Sequence, residues 1–426
     1  MAKFVVVGGR PLRGTVRPVG NKNAALPILA ATVLTDQEIV LTNIPNIRDV
    51  RTMLAILSDL GAQVDRRGPN EVAIRAREMN KVELNQELCA DIRGSILFAG
   101  PMLARLGRVK LPPPGGDVIG RRRLDTHLLA LQALGAEIEA NHYFSMHAKR
   151  LMGGDILLDE ASVTATENAI MAAVLAKGRT VISNAASEPH VQDLCHFLNQ
   201  LGAQIQNIGS NMLVIDGVER ISGGSYKLQP DNIEVGSFMA LAGATGSELL
   251  IEGAMPAHQR MTRLVLGKLG LVTEVRGEDI FVPGGQELQV VRDLGDAIPK
   301  IEDAPWPGFP TDMTSVALVL ATQARGTVLV FEKMFENRLF FVDKLIGMGA
   351  TIVLCDPHRA VVSGPSKLHG TKLESPDIRA GMALLIASLC AEGRSVIHNI
   401  GQIDRGYEKL EQRLQQLGAH IERVDE

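Results

Sequence analysis

The sequence has few aromatic residues and no excess of positive charge. One Trp and three Tyr among 426 residues cannot supply the series of stacking surfaces with which proteins bind single-stranded nucleic acid. The formal net charge is −4, so the chain as a whole does not attract polyanions. We therefore expect no nucleic-acid partner, and any anion must be bound by a local cluster of cations.

Cysteine is also scarce. The four cysteines are Cys89, Cys195, Cys355 and Cys390. Their spacing fits neither a metal site nor a disulfide framework, so we expect thiols of the core in a reducing compartment. The histidines, including His127, also lack the spacing of metal ligands, and structural roles are expected for them. The sequence therefore predicts no metal site.

Long apolar runs and common catalytic motifs are missing as well. The longest apolar run, residues 24–34, contains a proline and is shorter than the ~20 residues that a membrane-spanning helix needs. The stretch before Gly8 is too short for a signal sequence. The motifs GxxxxGK[ST], HExxH and GxSxG are absent. We expect a cytoplasmic protein that does not enter the membrane.

Six copies of one signature divide the chain. LGAQV, LGAEI, LGAQI, LGLVT, MGATI and LGAHI recur about 70 residues apart. Their glycines are Gly61, Gly135, Gly202, Gly270, Gly349 and Gly418. Each glycine follows an amphipathic helical pattern and precedes a strand pattern, so a positive φ is expected there. The sequence thus predicts six repeated βαβαββ units.

Each repeat also contains a segment that is apolar on every side. These segments are AALPILAATVL, GSILFAGPMLA, NAIMAAVLA, GSFMALAGA, SVALVLAT and AGMALLIASLC. A helix without a polar face must be buried all round. The fold class we predict is α/β, with two domains that each place three helices inside sheets and amphipathic helices. The expected domains are residues 22–229, and residues 1–21 together with 230–426.

Residues 111–126, LPPPGGDVIGRRRLDT, resist regular structure. Three prolines remove backbone donors, and Gly115 and Gly116 add conformational freedom. We expect a mobile loop over residues 111–123 that carries Asp117 and an arginine triplet. The earlier GGRPLRG stretch, residues 8–14, is predicted to be a hairpin turn.

Polar residues stand where the buried helices are predicted to begin. Asp91, Asp231 and Asp377 are expected to be N-caps. Lys22, Arg93 and Arg379 are cations in the same slot and oppose the helix dipole, so each needs a carboxylate or a bound anion. Arg48, Arg122 and Arg405 occupy one equivalent position before the amphipathic helices. Arg48 is expected to form an ion pair, whereas the other cations are candidates for an anion site.

With these residues assembled, the chain resembles the enolpyruvyl transferases. The resemblance rests on GNKNAALPILAA (20–31), DIRGSI (91–96), PGGDVIGRRRLD (114–125), FPTDM (309–313), FENR (335–338), DIRA (377–380) and IDRGYE (403–408). It implies a two-domain inside-out α/β barrel with no metal or organic cofactor. The implied reaction transfers the enolpyruvyl group of phosphoenolpyruvate to the 3-hydroxyl of UDP-N-acetylglucosamine and releases phosphate. That reaction is the first committed step of peptidoglycan synthesis.

The resemblance also implies roles for individual residues. Contacts to phosphoenolpyruvate are expected from Lys22, Asn23, Arg122 and Arg405. Contacts to the UDP-sugar are expected from Arg93, Arg122, Arg123, Leu124, Asp125, Thr126, Glu160, Ser162, Val163, Asp312 and Met334. Supporting residues are expected at Arg338, Asp377 and Arg379. Asp312 would accept the proton of the sugar hydroxyl, and Asp117 would protonate C3 of phosphoenolpyruvate, with Lys22 and Asn23 beside them.

Asp117 departs from the family pattern, which commonly has cysteine after Gly-Gly. Fosfomycin alkylates that cysteine, and a carboxylate is a far weaker soft nucleophile than a thiolate. We therefore expect an active enzyme that resists fosfomycin. The missing cysteine leaves one alternative open, a non-catalytic protein that binds UDP-sugars. Arg121, Arg123 and Thr164 also differ from the common pattern, which leaves a second alternative, enolpyruvyl transfer to another acceptor.

Overall fold

The apolar segments of the repeats form helices, and strands lie between these helices along the chain. The structure is a computed structural model that describes residues 2–116 and 123–425. Its strands are β1 (Lys3–Val7), β2 (Arg13–Val16), β3 (Glu38–Thr42), β4 (Gln63–Gly68), β5 (Glu71–Arg75), β6 (Arg108–Leu111), β7 (Glu137–Ala140), β8 (Phe144–His147), β9 (Asp155–Leu157), β10 (Arg179–Ser183), β11 (Gln204–Gln206), β12 (Met212–Asp216), β13 (Gly224–Lys227), β14 (Glu248–Ile251), β15 (Glu274–Arg276), β16 (Asp279–Val282), β17 (Lys300–Glu302), β18 (Gly326–Phe331), β19 (Thr351–Asp356), β20 (Arg359–Gly364), β21 (Lys372–Glu374), β22 (Arg394–His398) and β23 (His420–Val424).

The α-helices alternate with these strands. They are α1 (Lys22–Ala31), α2 (Arg48–Asp59), α3 (Gln86–Asp91), α4 (Ala99–Leu106), α5 (Asp125–Ala133), α6 (Val163–Ala173), α7 (Pro189–Gln200), α8 (Asn232–Thr245), α9 (Arg260–Gly267), α10 (Thr314–Gln323), α11 (Val342–Gly347), α12 (Ile378–Cys390) and α13 (Leu410–Gln416). Short 3₁₀ helices cover Thr32–Leu34, Arg93–Phe98, Pro256–Gln259, Leu294–Asp296, Thr311–Met313 and Ile403–Arg405. No helix within the described ranges is long and apolar enough to cross a membrane.

Among the described residues, five of the six sheets share one order of four strands and the sheet of the second repeat has the last three of them, which confirms the six repeats. The orders are β13-β3-β5-β4, β6-β8-β7, β9-β10-β12-β11, β2-β14-β16-β15, β17-β18-β20-β19 and β21-β22-β1-β23. In the third repeat, β9 and β10 are parallel across α6, and β10, β12 and β11 are antiparallel. Within the described residues the second sheet has a single bridge, Glu83 to Lys110, in place of its first strand.

The chain divides into two compact units, each with its own core. Unit 1 contains residues 2–19 and 230–425, and unit 2 contains residues 20–116 and 123–229. The apolar core of unit 1 is built on α8, α10 and α12, which contact one another. The core of unit 2 is built on α1, α4 and α6. The fully buried faces of these helices agree with the absence of a polar side in their sequences.

The signature glycines have positive φ, as the sequence predicts. Their φ angles lie between 89° and 108°, in every one of the six repeats. Backbone contacts add a second requirement in two repeats: a Cβ at Gly270 would lie 2.4 Å from the backbone nitrogen of Gln289, and a Cβ at Gly61 would lie 2.6 Å from the carbonyl oxygen of Glu78. A Cβ at Gly135 would have no neighbouring atom within 4 Å among the described residues, so the φ angle is the requirement for glycine there.

Two expectations about the chain are wrong. β1 and β2 do not form a hairpin: β1 pairs with β22 and β23, and β2 pairs with β14. Gly8 instead lets the backbone pass the end of α12, since a Cβ there would lie 2.2 Å from the carbonyl oxygen of Ser388. Cys355 is exposed rather than a core thiol, because it lies on β19, the edge strand of its sheet.

Candidate active site

Lys22 is held at the start of α1 by two residues of unit 2. The Asn21 side chain accepts from the backbone N–H groups of Asn23 and Ala24, at 2.8 and 3.2 Å, and so caps the helix. The Lys22 ammonium lies 2.9 Å from the carboxylate of Asp49, and both side chains are less than one-tenth exposed. The carboxylate that the helix dipole requires is therefore present. Asn23, the next residue, is half-buried.

Arg93 begins the 3₁₀ helix before α4 and meets the residues that precede α5. Its guanidinium donates to the carbonyl oxygen of Arg123 at 3.1 Å. Burial lowers the pKa of Arg93, whereas the negative charge of Glu160 opposes that shift. Arg123 in turn donates to both carboxylate oxygens of Asp125, at 2.8 and 2.7 Å. The structure thus brings four of the predicted UDP-sugar residues together in unit 2.

The starts of α5 and α6 are joined beside this group. The Thr126 hydroxyl donates to Asp159 at 2.7 Å. The His127 ring lies 3.1 Å from the Thr164 hydroxyl and accepts from the Asn168 amide at 2.9 Å. Burial, together with the charge of Arg93, lowers the pKa of His127 to about 3. A neutral, fully hydrogen-bonded ring has the structural role that we expect for this histidine.

Three further residues that are predicted to bind the UDP-sugar lie where α5 and α6 begin. Leu124 directly precedes α5 and is half-buried. Ser162 holds the N-cap position of α6 without a side-chain hydrogen bond to the helix, and Val163 is the first helical residue. The backbone N–H of Ser162 donates to the carbonyl oxygen of Glu160 at 2.8 Å. This places Glu160, Ser162 and Val163 in one short turn.

The described part of the proline-rich loop packs against α3. Gly115 donates its N–H to the carbonyl oxygen of Cys89 at 2.9 Å, and a Cβ on Gly115 would lie 1.6 Å from the carbonyl oxygen of Ala90. Gly116 has a φ of 102° and approaches Arg93. These glycines are therefore needed for a close backbone approach. The predicted acid Asp117 and the predicted anion ligand Arg122 lie outside the described residues.

Asp312 is the centre of a buried ion-pair network in unit 1. One of its carboxylate oxygens accepts from Arg338 at 2.5 Å, and the other accepts from Arg379 at 2.8 and 2.9 Å. The two arginines are 6% and 5% exposed, whereas the Asp312 side chain is 20% exposed. Burial lowers the pKa of Arg379, but the charge of Asp312, together with Tyr407 and Asp231, outweighs that effect, so the pKa is raised overall. Both oxygens of a partly accessible carboxylate are thus fixed in orientation.

Asp377 belongs to the same network, and Arg405 lies two residues before one of its members, Tyr407. Asp377 caps α12 by accepting from the backbone N–H groups of Arg379 and Ala380, at 2.8 and 3.0 Å. It also lies 3.8 Å from Arg338. Arg379 donates to the Tyr407 hydroxyl at 3.3 Å, and Tyr407 follows the 3₁₀ helix that ends in Arg405. Arg405 is buried and donates to the side chain of Gln402 at 3.1 Å.

The N-cap predictions for Asp231 and Asp377 are confirmed, but the one for Asp91 is wrong. Asp231 accepts from two backbone N–H groups at the start of α8. Asp91 is instead the last residue of α3, and it accepts from Arg48 at 3.2 Å. The expected ion pair of Arg48 is therefore confirmed. Its partner is Asp91, the carboxylate that the sequence pattern assigned to a helix cap.

Sequence reasoning missed three residues that shape the site. Asp49 neutralises Lys22, Tyr407 contacts Arg379, and Glu332 accepts from the N–H of Met334 at 3.3 Å. Tyr407 lies within the IDRGYE motif, so the sequence had already marked this stretch of the chain as part of the candidate site. Asp49 contacts Lys22, and Glu332 also accepts from the Thr311 hydroxyl at 2.9 Å. Both partners are distant in sequence, and no local pattern marks such pairs. In the described ranges no group of three or more His, Cys, Asp or Glu side chains could hold a metal ion.

Comparisons with known proteins identify the fold and the family of the chain. The family model for EPSP synthase (3-phosphoshikimate 1-carboxyvinyltransferase) matches residues 6–414. The enolpyruvyl transferase NikO from Streptomyces tendae has the same fold, with a TM-score of 0.87 at 24% identity over 99% of both chains. EPSP synthase from Acinetobacter baumannii gives a TM-score of 0.76 at 17% identity over the whole of both chains. These two likenesses concern the fold alone.

Curated relatives are much closer in sequence. The UDP-N-acetylglucosamine 1-carboxyvinyltransferase of Treponema denticola is 56% identical over 99% of both chains. That of Bradyrhizobium diazoefficiens is 54% identical over 100% of this chain and 98% of its own. That of Bacteroides fragilis is 48% identical over the whole of both chains. The chain therefore belongs to the UDP-N-acetylglucosamine 1-carboxyvinyltransferase family of enolpyruvyl transferases.

Proposed function

We propose that the protein transfers the enolpyruvyl group of phosphoenolpyruvate to the 3-hydroxyl of UDP-N-acetylglucosamine and releases phosphate. This is the first committed step of peptidoglycan synthesis, on which cell wall biogenesis, cell shape and cell division depend. The names of the relatives support the acceptor. The observation that carries the chemistry is the carboxylate of Asp312, which two guanidiniums orient and which remains partly accessible.

In unit 1, Asp312 accepts the proton of the 3-hydroxyl as the oxygen attacks C2 of phosphoenolpyruvate. Its two arginine partners fix the directions of its lone pairs, and a general base works only within hydrogen-bond reach of the proton it takes. Arg405 supplies a buried cation for the carboxylate or phosphate of phosphoenolpyruvate. Asp377, Arg338 and Arg379 hold this constellation in place, and Met334 contacts the UDP-sugar.

In unit 2, Lys22, Asn23 and Arg122 bind phosphoenolpyruvate. The Lys22 ammonium is already buried beside Asp49, so it is held in position before the substrate arrives. The group built on Arg93, Arg123 and Asp125, with Glu160 and the turn to Val163, binds the UDP-sugar. Those side chains provide both donors and acceptors, which a nucleotide sugar with phosphates and hydroxyls requires.

Asp117 completes the reaction as the acid. Its carboxyl gives a proton to C3 while the sugar oxygen bonds to C2, which yields a tetrahedral intermediate. That intermediate then loses a proton from C3 and expels phosphate, so that the enolpyruvyl ether forms. Cations around the phosphate stabilise the charge that develops as it leaves.

Release of phosphate from phosphoenolpyruvate tests this proposal. We expect release with UDP-N-acetylglucosamine and none without it. Asp312→Asn should lower kcat by at least 10²-fold, the order of a lost general base. The matched change Asp343→Asn, at an exposed carboxylate paired with Lys344, should leave kcat unaltered.

The same assay separates the two alternatives. Release with shikimate 3-phosphate in place of the UDP-sugar would show a different acceptor. Binding of UDP-N-acetylglucosamine without turnover, in the parent as well as in Asp312→Asn, would show a UDP-sugar-binding protein without catalysis. Either result contradicts the proposed reaction.

We also propose that the enzyme is insensitive to fosfomycin because Asp117 replaces the cysteine of the commoner family pattern. Preincubation with fosfomycin should leave the rate of phosphate release constant over time. Asp117→Cys supplies a thiolate and should make the loss of activity time-dependent. Progressive inactivation of the parent would contradict this proposal.

Two further proposals concern organisation and location. The domains are residues 22–229, and residues 1–21 with 230–426, a division supported by two separate apolar cores. The protein works in the cytoplasm, where phosphoenolpyruvate and nucleotide sugars are made. Fractionation of cells that express the chain would check the location, and limited proteolysis near residue 230 would check the division.

A further inference from the structure

Two carboxyl groups meet in the interior of unit 1, behind the turn that carries Asp312. β17 and β18 are parallel, with Glu302 opposite Phe331. The residues that follow, Asp303 and Glu332, therefore emerge side by side at the ends of these strands. Both are completely buried. Two ionised carboxylates in such a place would be strongly destabilising.

In each carboxyl group, one oxygen accepts hydrogen bonds from residues next to Asp312 or Met334. Oε1 of Glu332 accepts from the Thr311 hydroxyl at 2.9 Å, and from the backbone N–H groups of Met334 and Phe335 at 3.3 and 3.2 Å. Oδ1 of Asp303 accepts from the backbone N–H of Lys333 at 2.5 Å. Glu332 thus ties the turn before α10 to residues 333–335.

The other two oxygens, Oε2 of Glu332 and Oδ2 of Asp303, are buried, and no group in the described part of the chain donates to them. The two residues lie next to each other, because they follow paired positions of the parallel strands β17 and β18. Two carboxylate oxygens are both acceptors, so a hydrogen bond between them needs a proton. A single proton satisfies both oxygens and removes one of the two charges.

The surrounding charges agree with one retained proton. Burial, followed by the hydrogen bond and the charge of Asp303, raises the pKa of Glu332 to about 8, while Arg338 opposes the shift. Arg338 is shared with Asp312, which limits that opposition. His358, from the turn between β19 and β20, lies 2.7 Å from the backbone oxygen of Glu332 and so does not engage its carboxyl. The ammonium of Lys333 lies 3.4 Å from Glu302.

We propose that Asp303 and Glu332 share one proton and, through it, position Asp312 and Met334 for the transfer reaction. Glu332 is a positioning residue, because it touches the segments that carry these side chains and not the reacting atoms. When the proton leaves, two adjacent negative charges repel each other, and Glu332 no longer holds Thr311 and residues 333–335 together. The inference rests on the proposed function, since it assigns Asp312 and Met334 their roles.

The pH dependence of kcat and of KM for UDP-N-acetylglucosamine tests the shared proton. In the parent, kcat should fall above about pH 8. Glu332→Gln keeps the acceptor oxygen and adds a permanent N–H donor towards Asp303, so this variant should lose the alkaline limb or shift it upward by at least one pH unit. Asp303→Asn should do the same from the other side. Glu332→Ala should lower kcat at least tenfold at every pH, because it removes the acceptor of three hydrogen bonds.

A matched control separates the pair from a general effect of removing charge. Asp216→Asn breaks an exposed ion pair with Arg179, at 2.7 and 3.0 Å, and should reproduce the pH profile of the parent. If Glu332→Gln loses activity as Glu332→Ala does, the carboxylate charge matters rather than the proton, and the proposal is overturned. An alkaline limb at the same pH in the parent, Glu332→Gln and Asp303→Asn also overturns it.

Urea unfolding tests the pair without relying on turnover. The single Trp of the chain, Trp306, lies three residues after Asp303, so its fluorescence reports the unfolding of unit 1. The pKa of Glu332 is higher in the folded state than its ordinary value of 4.5, so the folded state retains a proton that the unfolded state releases. The midpoint for the parent should therefore fall as the pH rises from about 4.5 to 8, and the fall should be smaller for Glu332→Gln.

The two failures are distinguishable. Absence of phosphate release by the parent would contradict the proposed function, while the pH dependence of the urea midpoint would still support or overturn the shared proton. Turnover by the parent with parallel midpoints for parent and Glu332→Gln would overturn the shared proton alone.

Discussion

Removal of the Asp49 carboxylate measures how strongly the start of α1 depends on a buried charge pair. Lys22 and Asp49 lie 2.9 Å apart, and their side chains are 9% and 4% exposed. At an effective dielectric constant of about 20, the attraction at that distance is roughly 6 kcal/mol before the desolvation of both charges is subtracted. Breaking one partner of a buried pair typically costs about 3–5 kcal/mol. Both residues make further contacts, so we expect the lower end, about 3 kcal/mol, for Asp49→Asn.

Urea unfolding of the parent, Asp49→Asn, Lys22→Met and the double variant isolates the pair. Trp306 lies in unit 1, so its fluorescence transition should not move, whereas the circular dichroism transition of unit 2 should shift. The double variant should cost about 2–3 kcal/mol less than the sum of the single variants, because neither charge is then left unpaired.

The matched control is Asp59→Asn in α2, the helix that also contains Asp49. Asp59 pairs with Lys81 at 2.6 Å, but the two side chains are 27% and 53% exposed, so the expected cost is below about 1 kcal/mol. The reasoning is refuted if Asp49→Asn costs no more than Asp59→Asn. A coupling below about 0.5 kcal/mol between Lys22 and Asp49 would refute it equally.

Two more predictions use unfolding measurements. Gly135→Ala should lower the free energy of unfolding by about 1 kcal/mol, because its φ is 93° although a Cβ has space there. Gly270→Ala should lower it further, because its Cβ would meet the backbone of Gln289. Equal losses of stability in the two variants would show that the backbone contact is irrelevant. The pKa of His127 is about 3 in the folded state and 6.5 ordinarily, so protonation favours the unfolded state and the stability that His127 contributes is lost as the pH falls from 6.5 towards 3. The free energy of unfolding of unit 2 should decline there by up to about 1.4 kcal/mol per pH unit, and more gently in His127→Gln, whereas identical slopes would exclude His127 as the cause.

The repeated architecture could be predicted from sequence because its signals are local. A glycine after an amphipathic helix and an apolar helix without a polar face are both visible within one short window. Positive φ at the signature glycines and full burial of α8 follow from those windows. The prediction of a hairpin between β1 and β2 was wrong because the pairing of these strands is not local. Its strands pair with β14, β22 and β23, which come more than two hundred residues later, and no local pattern specifies such partners.

The residues of the candidate site also fall into two groups, those that the sequence identified and those that it missed. The resemblance identified Asp312 and Arg379, and the structure pairs them at 2.8 Å. It could not identify Asp49 or Glu332, because their contacts with Lys22 and Thr311 depend on how separate elements pack. Asp91 shows the limit of the cap pattern, since the same residue type ends α3 and pairs with Arg48.

Comparison of the helix starts across the repeats distinguishes Asp312, the proposed base, from the capping residues. Asn21, Asp231 and Asp377 each accept two backbone N–H groups at the start of their helices. Asp312 lies inside the 3₁₀ turn rather than at its cap, so its oxygens face side chains instead of the helix backbone. Asp91 also escapes capping, but its partner Arg48 is exposed, and that pair remains at the surface of unit 2. Among these positions, Asp312 alone combines a carboxylate free of capping with two buried guanidiniums, and this combination is what a positioned general base requires.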